Sequence, residues 1–153
     1  MNQERLAQLH QRYVALYSEE PTRGGGIAEL QALLDVSLPD EMQAIAEFYS
    51  GGIVGGISHN SFDPEPAAAS IAKTTLSFRS AINLPYRFIV LAELDESVIV
   101  LDVESEVVTW CDNCDVSRLD GSSEMLGKTE TWPSYADFFE FCLDEEEEER
   151  RYQ

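Results

Sequence analysis

The cysteines are the residues with the most obvious capacity for chemistry. Cys111 and Cys114 have the C-x-x-C spacing of half a zinc site. A complete site needs two further ligands, and the remaining soft ligands, Cys142, His10 and His59, form no second close pair. We therefore predict no metal and no cofactor, and expect the two cysteines to lie at either end of a hairpin turn.

The motifs of common enzymes are missing as well. Carboxylates surround the Cys111–Cys114 pair in sequence and disfavour the thiolate that redox chemistry requires. His10 and His59 can meet a serine or cysteine only through the fold, and no Gly-x-Ser-x-Gly motif is present. Residues 22–26 lack the Gly-Lys-Ser/Thr ending of a phosphate-binding loop. The sequence therefore predicts a protein that is not an enzyme, and a hydrolase using clustered carboxylates is a minor alternative.

Charge is the most informative property of the chain. Its 153 residues include 29 Asp or Glu and 10 Lys or Arg, for a net charge of −19. Residues 1–87 hold 10 acidic and 6 basic side chains, whereas residues 88–153 hold 19 acidic and 4 basic ones. A phosphate backbone or an anionic membrane would be repelled, so we predict neither nucleic acid nor membrane as a partner.

No Lys, Arg or His occurs between Arg87 and Arg118. Close like charges destabilise a fold, and this uncompensated group indicates a surface that docks a strongly basic protein. We expect several of its acids to gather at one rim of a sheet. The candidate binding residues are Glu93, Asp95, Glu96, Asp102, Glu104, Glu106, Asp112 and Asp115.

The elements that position these acids follow from hydrophobic spacing. Residues 86–94 are almost continuously apolar, which predicts a strand covered on both faces, and short turns then lead through 98–103 and 106–111 to a short strand at 115–119. Helices are predicted before this meander, one of them starting at Asp63-Pro64, and residues 120–131 are predicted to be a loop. Ser134 with Asp137 is typical of a capping box that opens a last helix. This order predicts a single α+β domain with an antiparallel-rich mixed sheet (meander about residues 86–119), N-terminal helices and a C-terminal helix.

Domain limits and location follow from composition. We assign residues 1–143 to the domain and residues 144–153 to an acidic helix end or tail. No signal peptide or membrane span is recognisable, and three cysteines do not suggest a disulfide framework. The expected location is the cytoplasm.

The pattern resembles the SUKH superfamily, which groups bacterial immunity proteins with a fungal regulator of cell-wall synthesis. The resemblance covers roughly residues 27–143. It is carried by Leu38-Pro39, Phe48-Tyr49-Ser50-Gly51-Gly52, Leu84-Pro85 before the strand 88–92, Val100-Leu101-Asp102, and the aromatic helix 132–141. The sequence departs from the superfamily pattern at Ser50 and at the turn Asp95-Glu96-Ser97.

The resemblance implies a mixed sheet wrapped by helices and no catalytic apparatus. With the acidic second half, it predicts an immunity protein that binds a cognate secreted polymorphic or contact-dependent toxin, a basic nuclease or a deaminase, and occludes its active site. The alternative is an intracellular scaffold or regulatory module of the same fold.

Overall fold

A computed structural model describes residues 1–18, 26–65 and 69–152. The helices are α1 (Gln3–Tyr17), α2 (Gly26–Leu34), α3 (Asp40–Ile45), α4 (Ile71–Ile82) and α5 (Tyr135–Arg151), with a 3₁₀ helix at Asn113–Arg118. The strands are β1 (Gly52–Val54), β2 (Ile57–His59), β3 (Phe88–Glu93), β4 (Ser97–Asp102), β5 (Val108–Asp112) and β6 (Glu130–Trp132). The predicted connector at 22–26 lies outside the described residues, apart from Gly26.

The main sheet is an antiparallel meander in the order β3-β4-β5-β6. It confirms the predicted α+β class and the antiparallel meander. Strands β1 and β2 form a separate hairpin, closed by the two-residue turn Gly55-Gly56. Both glycines have positive φ angles, 64° and 76°, as this tight hairpin turn requires.

Strand β3 is buried on both faces of the sheet. On one face, Ile89, Ile99 and Leu101 belong to a large core shared with the helices α1, α2, α3 and α5. On the other face, Val90 and Val100 belong to a smaller core closed by Leu84 and the 3₁₀ helix. Burying a large apolar side chain contributes about 1.5–3 kcal/mol, so the continuous apolar run of β3 stabilises both layers.

A bulge in β3 connects the sheet to its flanking elements. The pairing register with β4 shifts between Val90 and Ala92. The Val90 amide donates to Thr75 Oγ1 of α4 at 2.9 Å, and its carbonyl accepts from the buried Asn60 side chain at 3.1 Å. The Leu91 carbonyl accepts from the Asn60 amide at 2.8 Å. The edge of β3 is thereby satisfied by side chains and backbone outside the meander.

Helix α5 begins as the sequence predicts. Ser134 is its N-cap, and the Ser134 Oγ accepts from the Asp137 amide at 3.2 Å. Three other expectations were wrong. Helix α4 begins at Ile71 after a Ser70 cap rather than at Asp63-Pro64. Residues 113–118 form a 3₁₀ helix where the sequence predicts a strand at 115–119, and the last two residues of the predicted loop 120–131 belong to β6.

Candidate protein-docking surface

The antiparallel register divides the eight predicted acids between opposite ends of the sheet. Phe88 pairs with Asp102, whereas Glu93 pairs with Val98 and Ser97 with Asp112. Strands β3 and β4 have six residues each, so the two ends of the sheet lie about 17–20 Å apart. The expectation that the acids gather at one rim was therefore wrong for part of the set, because neighbouring turns of a meander point in opposite directions.

We call one side the Glu104 end, comprising Asp102 to Val107, where β4 turns into β5. Asp102 is 4% exposed, and its Oδ2 lies 2.8 Å from the Arg87 guanidinium. Its Oδ1 accepts from the Glu104 amide at 2.9 Å and from the Ser105 amide at 3.3 Å. Arg87 also lies 3.8 Å from Glu104. The Asp102 carboxylate thus shapes the turn and has a charge partner, so it is not available to a binding partner.

The other side is the Asp95 end. It comprises the turn from Glu93 to Ser97, residues Asp112 to Asp115, the segment from Leu126 to Lys128, and Glu130 at the start of β6. Glu93, Asp95 and Glu96 are exposed, and Asp112 is partly exposed. These four of the eight predicted residues are brought together on one surface.

A shallow pocket of about 240 Å³ opens at the Asp95 end. Trp110 forms part of its wall, and the indole N–H donates to Ser97 Oγ at 2.8 Å. The described lining residues are Glu96, Ser97, Trp110, Cys111, Asp112, Lys128 and Glu130. Three carboxylates and one lysine therefore surround an aromatic wall.

Sequence reasoning missed Glu130 at this site. It pairs with Trp110 across β5 and β6, and the polar residues before it gave no strand signal. Thr131 and Trp132 are residue types common in strands, but three residues are too few for periodicity to decide.

Asp115 has a structural role rather than an exposed one. Its Oδ1 accepts from the Leu126 amide and its Oδ2 from the Gly127 amide, both at 2.8 Å. These two hydrogen bonds lower the pKa of the Asp115 carboxyl. The residue is 0% exposed.

The cysteine pair is split between two environments. Cys111 is buried in the smaller core, where burial raises the pKa of its thiol to about 11, while Cys114 is exposed. Ligand atoms of Asp112, Cys114 and Asp115 lie within 4.8 Å of one another among the described residues. Cys111 does not belong to this group, and both Asp115 oxygens already accept backbone hydrogen bonds. The geometry gives no support to a site built on the C-x-x-C pair.

The fold does bring one histidine and one cysteine together. His59 Nε2 lies 3.9 Å from Cys142 Sγ, next to the rings of Tyr49 and Phe138. Burial lowers the pKa of His59 to about 4 and raises that of the Cys142 thiol to about 12. Both groups are therefore neutral near pH 7, so the pair lacks the thiolate of a nucleophilic site.

The acidic residues of the C-terminal region lie within α5, and several are paired with α1. Arg12 lies 3.3 Å from Glu140 and 2.6 Å from Glu147, and it also binds Asp144. Arg5 binds Asp137 at 2.7 Å. Hydrogen bonding to Glu147 is the main reason that the pKa of Arg12 is raised. Several carboxylates of α5 therefore form ion pairs with arginines of α1, in contrast to those at the Asp95 end.

The chain is thus an α+β domain whose main sheet has a group of exposed acidic residues at one end. The family profile SUKH_5, described as SMI1-KNR4 cell-wall, matches residues 3–144. The chain therefore belongs to the SMI1-KNR4 family of the SUKH superfamily.

A solved structure supports the fold. The crystal structure of a protein from Pseudomonas syringae pv. tomato is similar to this chain with a TM-score of 0.57 at 11% identity. The similarity covers 94% of this chain and 99% of that chain. No curated protein matches the sequence.

Family membership supports an immunity-type or SMI1/KNR4-like protein. Proteins of this family are generally binding or immunity modules without enzymatic activity, and the family implies protein–protein interaction. None of the described helices combines the length and apolar character that a membrane span requires.

Proposed function

We propose that this protein is an immunity protein that binds a cognate toxin domain through the Asp95 end of its sheet and occludes the toxin's active site. The observation that carries the proposal is the group of Glu93, Asp95, Glu96, Asp112 and Glu130 on one surface, where Lys128 is the basic residue lining the pocket. The SUKH membership supports the immunity class.

The charge of this surface favours a basic partner. A nuclease carries a positive cleft for its phosphate substrate, and an array of fixed carboxylates can occupy that cleft in place of phosphates. Complementary charge also steers the encounter, which suits an inhibitor that must reach a toxin before its substrate does. A deaminase that acts on nucleic acid presents a similar cleft. The cytoplasm is the compartment in which such a toxin would be met.

The test compares matched double variants at the two ends of the sheet. The partner is the product of the gene adjacent to this one, which an immunity function requires to be a toxin domain, and association is followed by stopped-flow fluorescence at low salt. We expect Asp95→Lys with Glu96→Lys to slow association about tenfold, because it reverses the steering field at the docking surface. Glu104→Lys with Glu106→Lys makes the same change of charge in the opposite turn and should slow it far less.

Equal slowing by both double variants would show that only net charge matters, and would refute docking at the Asp95 end. An unchanged rate in the Asp95/Glu96 variant would refute it as well. If the wild-type protein does not bind the neighbouring toxin domain, the immunity function itself is wrong.

A second function is favoured by the SMI1-KNR4 cell-wall description of the matching family. A regulatory or scaffolding module of the same fold would bind a protein of its own cell rather than a toxin. Gene context separates the two, because an immunity gene is expected to lie directly beside a gene for a large secreted toxin.

A further inference from the structure

An exposed leucine lies beside Asp115 at the acidic Asp95 end. Leu126 is 72% exposed, while its neighbour Met125 packs against the smaller core. A single exposed leucine is common on any protein and has no meaning by itself. The hydrogen bonding of the backbone around Leu126 is the informative feature.

The backbone of Leu126 is held by a buried carboxylate. The two oxygens of Asp115 accept from the amides of Leu126 and Gly127, each at 2.8 Å. Hydrogen bonds to an ionised acceptor are roughly twice as strong as neutral ones, so the backbone of this loop is held firmly. Leu126 is therefore displayed from a restrained position.

Gly127 lies close against two carboxylates. A Cβ atom at this position would collide with the Asp112 Oδ2 and would lie 3.3 Å from the Asp115 Oδ2. A larger residue would have to displace the Asp112 side chain, so the close approach of this segment depends on glycine.

The surroundings of Leu126 have the composition of a binding interface. Two residues further along, Lys128 lines the pocket together with Glu96 and Glu130, and Trp110 forms part of its wall. An apolar side chain bordered by charged residues is the usual anatomy of an interface centre and its rim. The charge of the rim selects a basic partner.

We infer that Leu126 is the apolar anchor of the docking surface and inserts into an apolar depression on a basic protein partner, with Asp115 acting as the positioning residue that presents it. This inference rests on the proposed function. It assigns the long-range attraction to the carboxylates at the Asp95 end and the lifetime of the complex to Leu126.

The experiment measures association and dissociation rates separately by surface plasmon resonance with the neighbouring toxin domain. Leu126→Ala should raise the dissociation rate about tenfold and leave the association rate within twofold, because anchors act mainly on dissociation. The control is Ile53→Ala on the β1–β2 hairpin, where an aliphatic side chain is 66% exposed outside the docking surface. It should change neither rate.

Asp115→Asn tests the positioning role. Amide hydrogen exchange at Leu126 and Gly127 should quicken, and dissociation should quicken with it. In a Leu126→Ala background the same substitution should have little further effect on dissociation, because the two residues act as one unit. Additive effects of the two substitutions would refute the positioning role of Asp115.

Failure of the inference is distinguishable from failure of the proposed function. If the wild-type protein binds the toxin domain and Leu126→Ala dissociates at the wild-type rate, the anchor is wrong while the immunity function stands. If the wild-type protein does not bind, both are wrong. Leu126 lies on the surface, so its substitution tests the anchor even if Asp115→Asn does not fold.

Discussion

The two ends of the meander contain acidic turns of similar composition but use them in different ways. At the Glu104 end, Asp102 binds Arg87 at 2.8 Å and two backbone amides of its own turn. At the Asp95 end, Asp95 and Glu96 are exposed and have no ion pair among the described residues. Asp102 holds the turn at the first end, whereas Asp95 and Glu96 at the second end are left for solvent or a partner.

The difference comes from a single cation placed by strand pairing. Arg87 precedes β3 and lies beside the end of β4 because Phe88 pairs with Asp102. The opposite end of β3 runs into Glu93, so β3 brings no basic residue there, and the nearby Lys128 comes from the segment before β6. A count of acidic residues does not distinguish the two ends, because the difference lies in which carboxylates pair with a basic side chain.

The largest expected effect is a loss of folding stability at acid pH, caused by the buried His59. It limits the pH range in which the two ends of the sheet can be compared. His59 has a pKa of about 4 in the folded protein, against about 6.5 in an unfolded chain. The unfolded state therefore takes up the proton first, so stability is full above about pH 6.5 and falls by about 3 kcal/mol as pH drops to about 4.

Urea unfolding between pH 7 and pH 4.5 checks this expectation. His59→Phe removes the titrating group from its aromatic surroundings and should flatten the loss over that range. An equally steep loss in the variant would show that other groups dominate. The two ends of the sheet should be compared near pH 7, where His59 is neutral in the folded protein and its titration does not affect stability.

The next effect distinguishes the ends by stability. Asp102→Ala removes charged hydrogen bonds and an ion pair at a buried position, and should lower the free energy of unfolding by about 2–3 kcal/mol. Asp95→Ala changes an exposed side chain and should alter it by less than about 0.5 kcal/mol. Urea denaturation at pH 7 measures both. Similar losses from the two substitutions would remove the distinction between a structural and an open end.

The smallest effect concerns repulsion. Neutralising Glu96, Asp112 and Glu130 to the corresponding amides should stabilise the free protein by about 0.5 kcal/mol at low salt, because like charges near one another are destabilising. Glu104→Gln with Glu106→Gln should give no such gain, since Arg87 loses attraction there. Thermal unfolding at low and high salt is the measurement, and a gain at the Asp95 end that persists in high salt would contradict the electrostatic explanation.

Much of the fold could be predicted because long apolar runs carry a strong signal. The continuous run of β3 and the aromatic stripe of α5 follow directly from burial of one or two faces. Strand β6 has only three residues, and the start of α4 depends on a Ser70 cap placed after a loop that sequence spacing does not define. Short elements depend on their neighbours more than on their own residues.

The candidate site could be predicted only in part. The uncompensated acidic stretch drew attention to the correct meander, yet the register decided which acids face outward together. Asp102 and Asp115 were indistinguishable in sequence from Asp95 and Asp112, although the structure buries the first two and uses them to hold turns and loops. Glu130 and Leu126 came from a polar stretch with no periodicity, so no sequence signal selected them.

The ion pairs between α1 and α5 also bear on the order of folding during synthesis. Arg5 and Arg12 bind acids about 130 positions later in the chain, from Asp137 to Glu147. On the ribosome, α1 therefore waits without its partner helix until nearly all of the described chain has emerged. Contacts of such long sequence separation form slowly, so the docking of α1 against α5 is expected to be among the last steps of folding.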